Sequence, residues 1–288
     1  MQDVIELALR SSKDASEIKE MKRVSGGSIN DSFYVQTEQH EYFIKSHTNP
    51  PENFFKLEKE GLEYIKSTKS IQVPEVYSYS DEIGKAYLAL EWIDGSPQSS
   101  TQLELGRNIA KMHQAMGEGH GYHEPTYIGI IIQSNQMYRD WVDYYRECRL
   151  KRQLQIGVDE QHITGKRRER LERVITDLEK WIPQDIKPSY LHGDLWAGNW
   201  ICDANGTPYV IDPSFLFGDR HLDLAFTELF GGFSEDFYKA YEQEYPIDHY
   251  YDDVKALYQL YYLLVHLNIF GEAYSGSVDR VLKYYVGE

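Results

Sequence analysis

The sequence predicts an α+β fold in two lobes: a small antiparallel-sheet lobe with one main helix over residues 1–93 and a larger, mostly helical lobe over 94–288. Three observations predict it. Up to about Trp92, apolar residues alternate with polar ones or run continuously over short stretches, the pattern of strands. Beyond that point they recur mainly at helical spacing. Between the two regimes stands Asp94-Gly95-Ser96-Pro97, a cluster of turn formers and the candidate lobe boundary.

In the smaller lobe Phe33 and Val35 alternate with polar neighbours and mark one strand. Glu41 to His47 marks the next, and the polar turn at Thr37 to His40 makes a hairpin of the two. Pro50-Pro51 is a break. From Glu52 the spacing of Phe54, Leu57, Leu62 and Ile65 predicts an amphipathic helix that ends in the polar stretch Ser67 to Ser70. Two more strands follow at Glu75 to Tyr79 and Lys85 to Trp92, the second a nearly continuous apolar run as a buried strand requires.

In the larger lobe Leu105, Ile109, Met112, His113 and Met116 share a helical face, as do Leu171, Val174, Ile175 and Leu178. Strand character returns at 189–215. The last quarter is helical, with Val254, Leu257, Tyr258, Tyr261, Leu264 and Val265 forming a wide stripe for the core. No repeats or low-complexity tracts interrupt the chain.

Bulk properties narrow the function classes. With 41% hydrophobic and 14% aromatic residues, including 24 Tyr, the chain can fill a core and is ordered nearly throughout. A formal charge of −16 disfavours nucleic acid and anionic membranes as partners, because both need a positive surface. An acidic surface that keeps the protein in solution accounts for that charge before any cationic substrate does. Cys148 and Cys202 stand far apart and in no metal-binding spacing, so a reducing cytoplasm is expected, without disulfides or zinc. The first residues carry acids and lack a basic start and a long apolar stretch, so no signal peptide is read there. The most apolar run, Leu260 to Phe270, is 11 residues long, short of the roughly 20 that span a bilayer.

The chemistry concentrates in Leu191-His-Gly-Asp-Leu-Trp-Ala-Gly-Asn199 and Tyr209-Val-Ile-Asp-Pro213. Asp194 and Asn199 reproduce the D-x-x-x-x-N interval of a kinase catalytic loop, where the Asp accepts the substrate hydroxyl proton and the Asn holds Mg²⁺. Asp212 follows 13 residues after Asn199. Two short strands joined at Asn205-Gly206 would fold it back beside Asn199. A carboxylate and an amide oxygen there suit Mg²⁺, with nucleotide phosphates completing its shell. Taken singly, Asp194 and Asn199 are ordinary turn formers. Their interval, the flanking apolar strands and the second Asp together are not explained that way. His192 reads as a structural residue that orients the turn.

A kinase also needs nucleotide contacts. Ser25-Gly26-Gly27-Ser28-Ile29-Asn30 lies between two predicted strands and can bring the backbone N–H groups of Gly26, Gly27 and Ser28 near phosphates, although a plain hairpin turn would look the same. Lys45 ends the apolar run Tyr42-Phe43-Ile44, as does the strand lysine that meets the α- and β-phosphates of ATP. Its partner is expected on the following helix at Glu58 or Glu60. Glu58 is favoured because it stands four before Leu62, beside the apolar stripe. Leu88 to Ile93 reads as a hinge whose backbone at Glu91 and Ile93 would meet adenine, with Leu90 behind the base. A plain core strand is equally compatible with those letters.

With these residues assembled, the chain resembles the fructosamine kinase, or ketosamine-3-kinase, family. That family is a branch of the protein-kinase-like superfamily, which includes aminoglycoside phosphotransferases and choline kinases. The resemblance rests on Gly26 to Asn30, the helix around Glu58 to Leu62, Leu191 to Asn199, and Ile211 to Phe233, with similar stretches at Trp141 to Leu154 and Tyr261 to Gly271. It implies ATP- and Mg²⁺-dependent phosphorylation of the sugar 3-hydroxyl of ketosamines, small or carried on glycated protein lysines, with release of the amine. It further implies Asp194 as base, Asn199 and Asp212 as Mg²⁺ ligands and Lys45 with Glu58 on the phosphates. Asp223 would brace the catalytic loop. Trp196 would stack on the sugar, or else be a core residue. Some relatives carry Cys where this chain has Ser28, so a thiol switch there is not available. A kinase for an aminoglycoside, choline or methylthioribose would use the same chemistry. A noncatalytic scaffold is opposed by the retained Asp194, Asn199, Asp212 and Lys45. A monomer is expected.

Overall fold

The computed structural model describes residues 2–24 and 30–287. Five strands, β1 (Ile18–Val24), β2 (Asp31–Thr37), β3 (Glu41–His47), β4 (Val76–Ser80) and β5 (Ala86–Glu91), form one antiparallel sheet in the order β1-β2-β3-β5-β4. The β2–β3 hairpin turns at Thr37 to His40 as predicted, closed by the Thr37 N–H donating to the His40 carbonyl at 2.9 Å.

Strand β5 is apolar and buried from Ala86 to Leu90 because a helix covers each face of the sheet. On one face α1 (Gln2–Ser11), a helix the sequence reading did not single out, buries Ile5, Ala8 and Leu9 against Tyr87, Ala89 and Ile44. On the other, α2 (Phe54–Ser67) buries Phe55, Leu57, Leu62 and Ile65 in the same core as Ala86, Leu88 and Leu90. Successive β5 residues therefore point into different apolar layers. The start of α2 has no side-chain cap of its own. Asp81 from the β4–β5 loop supplies one, accepting the Phe55 and Lys56 N–H groups at 2.8 and 3.0 Å.

After Glu91 the chain becomes mostly helical. Helix α3 (Thr101–Gln114) leads to a small hairpin, β6 (Thr126–Ile128) and β7 (Ile131–Gln133). Then come α4 (Trp141–Tyr144), a π-helical turn, α5 (Lys151–Asp159) and α6 (Gly165–Thr176). Strand character returns in four short pieces, β8 (Ser189–Leu191), β9 (Trp200–Cys202), β10 (Pro208–Val210) and β11 (Leu216–Gly218), paired as β8 with β11 and β9 with β10. Four helices finish the chain: α7 (His221–Leu229), α8 (Glu235–Glu244), α9 (Tyr251–Phe270) and α10 (Ser275–Val286).

Helix α9 is the centre of this half. Its predicted stripe, Val254, Leu257, Tyr258, Tyr261, Leu264 and Val265, is buried, and so are Leu260, Tyr262 and Leu263 on its other sides. Among the described residues no helix is long and apolar enough to cross a membrane.

Candidate active site

The two short ribbons bring the motif residues together. Strand β8 delivers the chain into His192-Gly193-Asp194, and Gly193 turns it at φ 79°. A side chain at Gly193 is excluded, because its Cβ would stand 2.0 Å from the Ser214 carbonyl oxygen. Strands β9 and β10 then double back around Asn205-Gly206, as the sequence predicts. Asp203 organises that turn by accepting the Asn205 and Thr207 N–H groups, each at 2.9 Å. The Ile211 N–H reaches the Asn199 carbonyl at 3.0 Å, which sets Asp212 beside Asn199. Asp212 itself is left-handed, φ 55°, an unusual state for a residue with a Cβ.

Asn199 Nδ2 donates to both the backbone carbonyl and Oδ2 of Asp194, at 2.8 and 2.9 Å. Both amide hydrogens are thereby used, and the amide oxygen is left as the atom a cation can meet. Burial pushes the Asp194 carboxyl well above the usual carboxylate range, against the hydrogen bond from Asn199 that pulls it down. A carboxylate so raised is a better proton acceptor than a solvated one.

Asp223, fully buried at the start of α7, holds the turn from below. Its two oxygens accept the His192 and Gly193 N–H groups at 2.7 and 2.9 Å and face His113 Nε2 at 3.1 Å. His113 Nδ1 lies 2.8 Å from the Tyr241 hydroxyl, so its ring is fixed at both nitrogens. His192 is fixed as well: Nδ1 accepts the Asp194 N–H at 3.2 Å and Nε2 faces the Ile211 carbonyl at 2.9 Å. Burial lowers the pKa of both imidazoles, which keeps them neutral.

Lys45 joins the sheet to this centre. Its ammonium donates to Glu58 Oε1 at 2.7 Å and also to Asp212. Glu60 is engaged elsewhere, by the Tyr122 hydroxyl and by Lys56. Burial pulls the Lys45 ammonium down, but Asp212 and Glu58 outweigh it and hold the group charged. For Glu58 burial dominates, Lys45 pulls down and Asp212 pushes up, and the result is a rise to about 7.

Lys45, Glu58, Asp194, Asn199 and Asp212 line one cleft of about 860 Å³. Glu91, Trp92, Ile93 and Leu90 line it from the sheet side. The Glu91 N–H donates to the Glu75 carbonyl at 2.9 Å, so that donor is used within the protein. The Glu75 N–H goes to the Glu91 side chain at 3.2 Å. Gly26, Gly27 and Ser28 lie outside the described residues. Trp196 is 41% exposed and faces the cleft, its indole lying over Gly198, so it is no core residue. Sequence reasoning missed Phe230, His266, Phe270 and Tyr274 on the cleft's far wall. Part of that wall lies in the run from Leu260 to Phe270, whose apolar letters signal only burial.

A sheet with a strand lysine paired to a helix carboxylate, set over a turn bearing Asp194, Asn199 and Asp212, defines a phosphotransferase of the protein-kinase-like fold. An ADP-bound aminoglycoside phosphotransferase has this same fold, with a TM-score of 0.64 at 18% identity over 98% of this chain and 96% of its own. The family model for fructosamine kinase matches residues 1–288, and the chain belongs to that family. It is 35% identical over 266 residues to the probable ketoamine kinase of Enterococcus faecium, covering 91% of this chain and 94% of that protein. It is 32% identical over 278 residues to the chloroplastic protein-ribulosamine 3-kinase of Arabidopsis thaliana, covering 94% and 84%. A crystal structure of a candidate fructosamine-3-kinase from Haemophilus somnus 129PT superposes with a TM-score of 0.89 at 28% identity, covering 99% of this chain and 98% of that one.

Proposed function

We propose that the protein transfers the γ-phosphoryl group of ATP to the 3-hydroxyl of the sugar-derived part of ketosamines, leading to release of the amine. The observation that carries this reading is the meeting of Asp194, Asn199, Asp212 and the Lys45–Glu58 pair in one cleft, in a chain of the fructosamine kinase family.

Asp194 takes the proton of the attacking hydroxyl as the new O–P bond forms and ADP leaves. The hydrogen bonds from Asn199 aim its carboxylate and hold it still. Asn199, through its amide oxygen, and Asp212, through its carboxylate, would hold Mg²⁺, a hard cation that takes oxygen ligands. When bound, the ion supplies neutralisation of phosphate charge. Lys45, held by Glu58, contacts the phosphates, and the backbone N–H groups of Gly26, Gly27 and Ser28 serve as further phosphate contacts. The Glu91 carbonyl and the Ile93 backbone meet adenine across a hinge that divides lobes 1–93 and 94–288. Trp196 stacks on the sugar. The substrates are small ketosamines or glycated protein lysines, met by a monomer in the cytoplasm.

A panel of ribulosamine, fructosamine, choline and aminoglycoside substrates with Mg-ATP tests the reaction. Turnover of choline or an aminoglycoside with ketosamines inert would overturn it. Asp194→Ala should abolish transfer with ATP affinity nearly unchanged, and unchanged turnover would refute the role of Asp194.

A further inference from the structure

A second group of buried side chains reaches the catalytic turn, from β7 and α9 rather than from α7. Gln133 ends β7, is 2% exposed and does not line the cleft. Its amide is used at both ends: Oε1 accepts from the Tyr261 hydroxyl at 2.6 Å, and Nε2 donates to Ser214 Oγ. Ser214 stands two residues after Asp212. Pro213 between them has no N–H, so the Ser214 N–H is the first backbone donor after Asp212, and it goes to the His192 carbonyl at 2.9 Å. The Ser214 carbonyl oxygen is also the atom that leaves no room for a side chain at Gly193. Next along α9, the Tyr262 hydroxyl donates to the Gly193 carbonyl at 3.0 Å. Two consecutive tyrosines thus reach the turn, one directly and one through Gln133.

The chain just after Gln133 is held by a buried cation. Arg149 is 1% exposed and lies in the π-helical turn Tyr145–Leu150. Its guanidinium donates to the Ser134 and Cys148 carbonyls at 3.4 and 3.1 Å and to Asn135 Oδ1 at 3.1 Å, and it lies over the Tyr144 and Tyr261 rings, 4.9 and 5.5 Å from their centroids. All of these partners are neutral, and a buried cation among neutral groups is costly. Such a residue in a π-helical turn points to a functional constraint. Asp212 supplies the constraint. Its left-handed backbone persists only where the surroundings over-determine it. The Ile211 N–H ties the residue before it to Asn199, and the Ser214 N–H ties the second residue after it to His192. We infer that Gln133 is a positioning residue for phosphoryl transfer: by holding Ser214 it keeps Asp212 in register with the turn that carries Asp194. This deepens the reading of Asp194, Asn199 and Asp212 as the transfer centre and rests on it, whichever hydroxyl compound is the acceptor.

Gln133→Leu, Ser214→Ala and the double variant test this. Each is assayed with Mg-ATP and a ribulosamine, titrated with Mn²⁺ in its ADP complex by electron paramagnetic resonance, and melted. Each single variant should lose about tenfold or more in kcat, while KM for the ribulosamine stays within about twofold, because Gln133 touches no substrate. Mn²⁺ should bind the ADP complex about tenfold more weakly, since a partner that orients a metal ligand has been removed. The double variant should fall no more than about twofold below the worse single one, because both changes break one contact. Wild-type kcat and Mn²⁺ affinity in the single variants, or losses that multiply in the double variant, overturn the inference alone. So does a fall in kcat that matches a fall in folded protein while Mn²⁺ affinity is unchanged. Full turnover and Mn²⁺ affinity in Asp212→Asn overturn it together with the reading of the transfer centre.

Discussion

Asp194 and Asp223 show how position decides what a carboxylate does. Asp194 keeps one edge open to the cleft and has its pKa raised by burial. Asp223 is sealed and spends its oxygens on the His192 and Gly193 N–H groups and on His113. Asp223→Asn would set an amide NH₂ against one of those N–H groups, donor against donor. That should cost about 1–3 kcal/mol of stability and, by loosening the turn, about 10²-fold in kcat. Turnover and thermal melting check both, and an unchanged kcat would mean that Gly193 and the Ser214 N–H, which donates to the His192 carbonyl at 2.9 Å, hold the turn alone. The interval from Asp194 to Asn199 was legible because it is local in sequence. His113 was legible only as one residue of a helical stripe. Its partners, Tyr241 and Asp223, arrive from distant helices, and no spacing reveals them.

At the scale of elements, the boundaries of β3, α2 and β5 came within a residue or two of the predicted ones, since each has a strong period and a clear stop. The pairing of β8 with β11 did not emerge, because three-residue strands leave no period to read. Helix α2 links the two halves of the site. It carries Glu58, and it approaches the segment after Asp212 so closely that a Cβ on Gly61 would stand 3.0 Å from Pro213 Cγ and 3.1 Å from Phe215 Cβ. On propensity alone, Gly61→Leu should stabilise the helix by roughly 1 kcal/mol. Here the larger side chain must push α2 off Pro213, so a net loss of about 1–3 kcal/mol is expected. Glu58 moves with the helix and leaves Lys45, and kcat/KM for ATP should fall about tenfold or more. Denaturant melts and ATP kinetics measure the two effects. A stabilised, fully active variant would show that the helix slides freely.

For the whole molecule, buried titrating groups set the response to acid. Burial lowers the pKa of His113, His120, His192 and His266, so below pH 6.5 the unfolded chain binds protons there that the folded one does not. Stability from these four is complete above pH 6.5 and declines as pH falls toward their folded values, each fully buried ring contributing up to about 1.4 kcal/mol per pH unit. Glu58 and Asp194 act in the opposite sense. Their folded pKa values are raised, so acid relieves a cost. Four imidazoles outnumber two carboxylates, and denaturant titrations should show stability falling from pH 7 to pH 5.5. A flat or rising profile would place those rings in water. The cleft's far wall also belongs to this scale. It is made where α7, α9 and the turn after α9 come together, which is why the letters of Leu260 to Phe270 read as core.

The left-handed backbone at Asp212 carries a consequence of an evolutionary kind. Glycine and asparagine tolerate that torsion best, and either is a single base change away from an aspartate codon. Neither brings a carboxylate. Drift at this codon therefore has an easy path to descendants that keep their shape and lose their reaction, so silent paralogues of such an enzyme should carry Asn or Gly at 212 more often than Ala or Val.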